Sequence, residues 1–156
     1  MGINQERQKL DLMNKLFTTR VALLFLIAFS MNITHADEST AIVEKFVEAF
    51  NQHDIDAMLE LSDSELRWMS VAGQQLELQT SSKEELQEVM SDYFASTPSA
   101  QSKIRSISES GNFVHTVEEA MWTSNGMQQS QCSMAIYELK DLKISYVWYF
   151  AEHQCD

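Results

Sequence analysis

The sequence predicts an α+β fold in which helices precede a meander of antiparallel strands. In the first half of the chain, apolar residues recur every three or four positions, as between Ile42 and Phe50, which is typical of helices. From Gln101 onward, alternating runs are separated by turn residues, and Asn125-Gly126 is a strong hairpin signal. Helices grouped before such a meander indicate the α+β class.

Local signals place the individual elements. Ser39-Thr40 can cap the first helix, Asp54 a second short helix, and Ser81-Ser82 a third, which Pro98 prevents from continuing. Two short strands meet at Gly73, between the second and third helices. The predicted strands are Leu66–Val71, Leu76–Gln79, Lys103–Ser110, Phe113–Thr123, Met127–Leu139 and Lys143–Glu152.

The N-terminal segment has the pattern of a secretory signal peptide. Lys15 and Arg20 precede the nine-residue apolar run Val21–Phe29, which is too short to span a bilayer as a helix. Thr34-His35-Ala36 then offers small residues before a cut. We therefore expect residues 1–36 to be the signal, with Met13 as a plausible start, and residues 37–156 to form one domain. The alternatives are an uncleaved anchor or a buried helix.

Composition and net charge restrict the classes of partner that the protein is expected to bind. The 156 residues are 44% apolar and 22% charged, which suits one globular domain. Eleven basic against 23 acidic residues give a net charge of −12, which disfavours nucleic acid and anionic membranes. We expect a periplasmic or secreted protein with no membrane contact after signal cleavage.

Export would favour a disulfide between Cys132 and Cys155, the two cysteines of the chain. A straight last hairpin places Cys132 opposite Ala151, so Cys155 lies roughly 13 Å further along. A disulfide requires Cα atoms within roughly 7 Å. The bond therefore needs residues 152–156 to fold back over the strand, and two separate thiols are the alternative.

Two segments resemble a known family. The run from Ile42 to Leu61, an amphipathic helix followed by Asn51-Gln-His-Asp54 and a short helix, resembles the opening of nuclear transport factor 2-like proteins, the SnoaL-like and ketosteroid-isomerase-like group. Tyr137–Ile144 resembles their closing hairpin. The resemblance covers about residues 39–152. It implies a cystatin-like cone, a curved antiparallel sheet wrapped by three helices, with a pocket inside.

The resemblance also allows the isomerase roles to be checked. Phe46 stands where a tyrosine would donate to the oxyanion, and Ser70 stands where an aspartate would act as base. The second oxyanion acid falls near Met134 or Ala135. Since all three roles lack the required group, the resemblance implies the fold without that isomerase chemistry.

Hairpin registers centred on the turns divide the strand residues between two faces. By resemblance, the face with Glu119, His115 and Tyr149 should line the cone, and these three are weak catalytic candidates. The alternative is that Glu119 and His115 are solvated at the rim. The predicted pocket residues are Phe46, Trp68, Ser70, Val117, Met134, Val147 and Tyr149.

The opposite face is rich in aromatic residues, and family members often dimerise through it. We expect a homodimer through this face, with Arg105 opposite Glu118 at its edge. A register slip of one residue would swap the two faces. The predicted dimer residues are Trp122, Tyr137, Tyr146 and Trp148.

Other motifs add little. His53-Asp54 lies at a helix corner and is best explained by capping. The histidines have no metal-ligand spacing and there is no glycine-rich phosphate loop, so we predict neither a metal nor a cofactor.

The favoured function is binding of a small apolar or amphipathic molecule. The alternatives are a SnoaL-like isomerase, cyclase or dehydratase, and a dimeric protein-interaction module.

Overall fold

The computed structural model describes residues 35–155, and their side chains from residue 38. Most of the predicted signal peptide lies outside these residues. The helices are α1 (His35–Gln52), α2 (Ile55–Leu61) and α3 (Lys83–Ser96). The strands are β1 (Ser62–Ala72), β2 (Gln75–Thr80), β3 (Gln101–Ser110), β4 (Phe113–Ser124), β5 (Met127–Lys140) and β6 (Lys143–Phe150).

The six strands form one curved, open sheet in the order β2-β1-β6-β5-β4-β3. Strand β1 is parallel to β6, and the other neighbours are antiparallel. The predicted α+β cone is therefore confirmed. Within the described residues, no helix is long and apolar enough to cross a membrane.

Caps fix where two of the helices begin. The Asp54 carboxylate accepts from the Ala57 amide at 3.0 Å, and Asp54 is the N-cap of α2 as predicted. The Ser82 hydroxyl accepts from the Glu85 amide at 3.2 Å, while the Glu85 carboxylate reaches back to the Ser81 amide at 2.6 Å. This exchange satisfies amide groups that the first turn of α3 leaves free.

The hydrophobic core lies between the helices and the concave face of the sheet. Phe46 of α1 contacts Tyr137 of β5 edge to face, and Met58 of α2 and Leu86 of α3 are fully buried beside them. The helices therefore cover the concave face. The core also contains Val43, Ala49, Leu66, Met90, Phe94, Val114, Ala135, Leu139, Ile144 and Val147.

Within strands β3 to β6, two β-bulges decide which residues reach the concave face. Strands β4 and β5 keep the predicted register, with Glu118 opposite Ser133. Between β5 and β6 the register shifts, because Leu139 pairs with Ile144 while Glu138 pairs with Tyr146. Ser145 is the extra residue, and every β6 position beyond it changes face relative to a straight hairpin.

The second bulge lies in β3. Ile104 pairs with Glu118 and Ser106 with Val117, so Arg105 is the extra residue. The expected pairing of Arg105 with Glu118 is wrong. Arg105 instead forms a 3.0 Å salt bridge with Glu119, on the face turned away from the helices.

Candidate functional site

A cavity of about 610 Å³ opens between the concave face of the sheet and helices α1 and α3. Its wall is mostly apolar and aromatic, and a few polar side chains lie at its base and mouth. The helices contribute Phe46, Val47, Phe50, Leu86, Val89, Met90 and Tyr93. The sheet and the chain after it contribute Trp68, Ser70, Thr80, Ser102, Glu118, Gln131, Ser133, Tyr137, Tyr149 and Glu152, among others.

A buried carboxylate forms the polar base of the cavity. Glu118 is only 3% exposed, and hydroxyl groups surround its two oxygens. Oε1 accepts from Thr116 and Tyr137, each at 2.7 Å. Oε2 accepts from Tyr149 at 2.6 Å and from Ser102 at 3.2 Å. These bonds hold the carboxylate in one position between strands β3, β4, β5 and β6.

The two tyrosines of this cluster are held as neutral phenols. Burial raises the pKa of Tyr137 and of Tyr149 well above the ordinary value, and the neighbouring Glu118 carboxylate raises both further. Their hydroxyl oxygens lie 2.9 Å apart. At neutral pH these groups therefore donate and accept hydrogen bonds without carrying charge.

Aromatic rings form the wall above the carboxylate. Trp68 stacks on Tyr149 with ring centroids 5.3 Å apart and an interplanar angle of 7°. Phe46 lies 6.1 Å from Trp68, and 6.3 Å from Tyr137. Parallel pairing of β1 with β6 produces the stack, because Ser70 pairs with Tyr149 and Trp68 with Val147.

A polar atom near this wall has no hydrogen-bond partner among the described residues. Thr80 is 2% exposed and lines the cavity, and its Oγ1 is unsatisfied. Thr80 pairs with Trp68 across β1 and β2. A buried hydroxyl without a partner is costly, so a polar group of a bound molecule would stabilise it.

Several predicted pocket residues lie elsewhere. Phe46, Trp68, Ser70 and Tyr149 line the cavity, and Val147 lies in the core. Val117 and Met134 lie on the convex face, and Met134 is 39% exposed. Glu119 and His115 share that face, because residues of one strand alternate between faces and Glu118 points inward. Of the catalytic candidates, only Tyr149 reaches the cavity.

The predicted dimer face is corrected in a similar way. Tyr137 is fully buried and belongs to the cavity, so its assignment to an outer surface is wrong. Tyr146 and Trp148 lie on the convex face and stack at 5.5 Å. Trp122 is half-buried near the end of β4, on the side of the strand that carries Glu118.

The cysteines form a disulfide, with Cα atoms 5.0 Å apart. The chain after β6 returns alongside β5, where Cys132 and His153 exchange backbone hydrogen bonds of 2.9 and 2.8 Å. The disulfide therefore forms, but by another route than the expected fold-back: Cys132 pairs with His153, two residues beyond the Ala151 of a straight register, and this brings Cys155 within reach. It also fastens Ala151 and Glu152, which line the cavity.

Sequence reasoning missed Glu118 because the face of β4 that carries it was assigned to the outer surface of the sheet. A usable signal was present in the register of β4 and β5, which was predicted correctly. On the face of Glu118 that register also places Thr116, Ser133 and Tyr137, three hydroxyl-bearing residues. An acidic residue surrounded by hydroxyl groups on one face of a sheet indicates a buried carboxylate.

Comparison with known proteins gives the family. Residues 43–147 match the sequence profile of the SnoaL-like domain. The chain belongs to the SnoaL-like domain family. No protein with curated annotation matches the chain significantly. Among the described residues of this SnoaL-like protein, no group of three or more His, Cys, Asp or Glu side chains could hold a metal ion.

Solved structures share this fold. An uncharacterised cystatin-fold protein of Novosphingobium aromaticivorans superposes with a TM-score of 0.64 at 17% identity, covering 72% of this chain and 97% of its own. An M. tuberculosis epoxide hydrolase gives 0.62 at 16% identity, over 74% and 84% of the chains. A protein of Kribbella flavida named as a ketosteroid isomerase superposes with a TM-score of 0.64 at 14% identity, covering 80% of this chain and 84% of its own. At identities this low, the superpositions show a common fold and nothing about activity.

Proposed function

We propose that this protein binds a small, largely apolar molecule in the cavity, with a polar group of the ligand placed at the Glu118 cluster. The observation that carries the proposal is the cavity itself, about 610 Å³ lined by aromatic and aliphatic side chains around one buried polar site. Ligand sites typically combine this size and apolar lining with a few fixed polar groups. The unsatisfied Thr80 hydroxyl provides a second point of attachment.

A blocking variant tests this proposal. Ala120 lines the cavity, so Ala120→Trp should fill it, whereas Met134→Trp adds the same ring on the convex face. Binding of 2-naphthol is measured by calorimetry on both variants and the parent protein. We expect Ala120→Trp to lose binding and Met134→Trp to keep it. Equal affinity in all three proteins, with unchanged circular dichroism, would place the ligand outside the cavity.

A second candidate function is catalysis of proton transfer, as in an isomerase, cyclase or dehydratase. It is favoured by the contact of the Glu118 carboxylate with two phenols inside the cavity, an arrangement in which one group can accept a proton and another can donate a hydrogen bond. The isomerase arrangement itself is not supported, because Phe46 and Ser70 occupy cavity positions without the required groups.

Hydrogen exchange at carbon tests catalysis without a known substrate. A cyclic ketone such as 2-tetralone is incubated in D₂O with the protein, and loss of its α-proton signals is followed by NMR. Catalysis predicts faster exchange with the parent protein than with Glu118→Gln or with buffer. An exchange rate equal to that of buffer, under conditions where the ketone binds, rejects this candidate.

We further propose that residues 1–36 direct export and that the mature protein is periplasmic or secreted. The proposal is supported by the Cys132–Cys155 disulfide, since such bonds persist in oxidising compartments. Mature protein from the native host should begin at or near Asp37. Intact mass that retains residues 1–36 in a cytoplasmic fraction would reject export.

We also propose a homodimer that buries the convex face of the sheet. It is supported by the apolar side chains there, among them Ile136, the stacked Tyr146 and Trp148, and the exposed Met134. A dimeric interaction module is the third candidate function, and it uses this surface rather than the cavity. Light scattering of the purified protein distinguishes a dimer from a monomer.

A further inference from the structure

We infer that the ligand of the cavity is an organic cation, an amine or quaternary ammonium attached to an apolar or aromatic body. The inference rests on the proposed small-molecule binding and adds the charge of the ligand. It follows from three features of the cavity: a buried carboxylate without a basic partner, an aromatic wall beside it, and an exposed carboxylate, Glu152, in the lining.

The first feature is the buried carboxylate of Glu118. Every hydrogen-bond donor to Glu118 among the described residues is an uncharged hydroxyl group, from Ser102, Thr116, Tyr137 or Tyr149. No lysine, arginine or histidine appears among the described residues that line the cavity. A buried negative charge without a positive partner is unfavourable. A cation entering the cavity would supply that partner, whereas a ligand anion would add repulsion.

The aromatic wall favours the same ligand. Trp68 and Tyr149 stack beside the carboxylate, and the ring of Phe46 completes this part of the wall. The face of an aromatic ring carries negative electrostatic potential and attracts ammonium groups, most strongly in a site shielded from water. An ammonium group held here contacts the carboxylate and the rings together, and its apolar body packs on the helices.

The charge at the mouth of the cavity and the net charge of the chain also favour a cationic ligand. Glu152 lines the cavity where the chain leaves β6 and is exposed to solvent. The net charge of −12 extends this field over the surface, and such a field raises the encounter rate of oppositely charged ligands. The free Thr80 Oγ1 can accept a hydrogen bond from an N–H group.

Three probes of nearly equal shape separate the charge of the ligand from its apolar body. They are 1-naphthylmethylamine, which is a cation at neutral pH, neutral 1-naphthalenemethanol, and the anion 1-naphthoate. Calorimetry on the full chain at neutral pH and low salt gives their affinities. We expect the amine to bind about tenfold more tightly than the alcohol, and the naphthoate to bind most weakly.

Matched variants assign this preference to one carboxylate. Glu118→Gln should lower the affinity for the amine more than the affinity for the alcohol, and so remove the advantage of the amine. Glu119→Gln removes the same charge on the convex face, where Glu119 pairs with Arg105, and should leave the advantage intact. A preference that survives Glu118→Gln, or that is lost equally in both variants, overturns the inference.

Further outcomes keep the two proposals distinguishable. If the alcohol binds the parent protein as tightly as the amine, small-molecule binding stands and the cation preference falls. If none of the three probes binds at millimolar concentration, both fall. Should Glu118→Gln fail to fold, nuclear Overhauser effects in the parent protein decide. Contacts between the aminomethyl protons and the rings of Trp68 and Tyr149 support the inference, and a bound amine without them overturns it.

Discussion

Replacing Cys132 and Cys155 together with alanine should lower the free energy of unfolding by about 3 kcal/mol. The disulfide joins residues 23 positions apart, and it fastens the chain after β6 to β5. That chain has little other attachment there, chiefly the two backbone hydrogen bonds between Cys132 and His153. Most of the stabilisation is therefore expected from restriction of the unfolded chain.

The magnitude follows from the length of the closed loop. A cross-link over 23 positions removes loop entropy worth about 3.4 kcal/mol at 25 °C, by the relation for chain closure. Cys132 is also buried, so alanine loses some packing contacts and adds slightly to the cost. With a urea slope of about 1.5 kcal/mol per molar, the unfolding midpoint should fall by about 2 M.

Urea unfolding of the oxidised protein, the reduced protein and the double variant measures this effect. The reduced protein should be slightly more stable than the double variant, because it keeps the packing of Cys132, and both slopes should be steeper because an unlinked chain exposes more surface. A midpoint shift below about 0.5 M would refute the loop argument. Two free thiols per chain in the unfolded, non-reduced protein would refute the disulfide itself.

Three further predictions concern the convex face, the tyrosine cluster and a helix cap. Trp148→Glu should convert the proposed dimer to a folded monomer, measured by light scattering, and a monomeric parent protein would remove its basis. Because the pKa of Tyr149 is raised in the folded state, its contribution to the free energy of unfolding is complete below about pH 10 and is lost as the pH rises above that value. Tyr149→Phe should make the alkaline decline of this free energy shallower by about 1.4 kcal/mol per pH unit. Identical slopes in the two proteins would refute the assignment. Ser82→Ala should cost about 1 kcal/mol in thermal unfolding through the lost bond to the Glu85 amide, and an unchanged melting temperature would show that Ser82 does not act as a cap.

The helices and turns were predictable because their signals are local. Apolar spacing, the capping residue Asp54 and the turn Asn125-Gly126 each act within a few residues. The bulges at Arg105 and Ser145 were not predictable, since nothing in the neighbouring sequence distinguishes an extra residue from a regular strand position. The polar base of the cavity was not predictable for the same reason. It combines Glu118 and Tyr137 with Tyr149, and Tyr149 reaches them only because of the bulge in β6.

The bulge at Ser145 determines whether the candidate site forms at all. With it, Tyr149 lies opposite Ala135 and Trp148 opposite Ile136, so the Tyr149 hydroxyl reaches Glu118. If Ser145 instead took a regular strand position opposite Glu138, every later residue of β6 would shift by one position relative to β5. Tyr149 would then move to the convex face, and Trp148 would turn toward the cavity.

Inserting one residue after Ser145 should therefore dismantle the Glu118 cluster while leaving the turn at Asp141-Leu142 in place, because Tyr149 would then pair with Met134 instead of Ala135. We expect a loss of several kcal/mol, because the carboxylate loses a charged hydrogen bond and the larger indole must enter a packed space. In a variant that still folds, Tyr149 should ionise near pH 10, as an exposed phenol does. Ultraviolet titration counts the tyrosines that ionise there. An unchanged titration curve together with parent-like binding of naphthyl probes would show that the site does not depend on the register of β6.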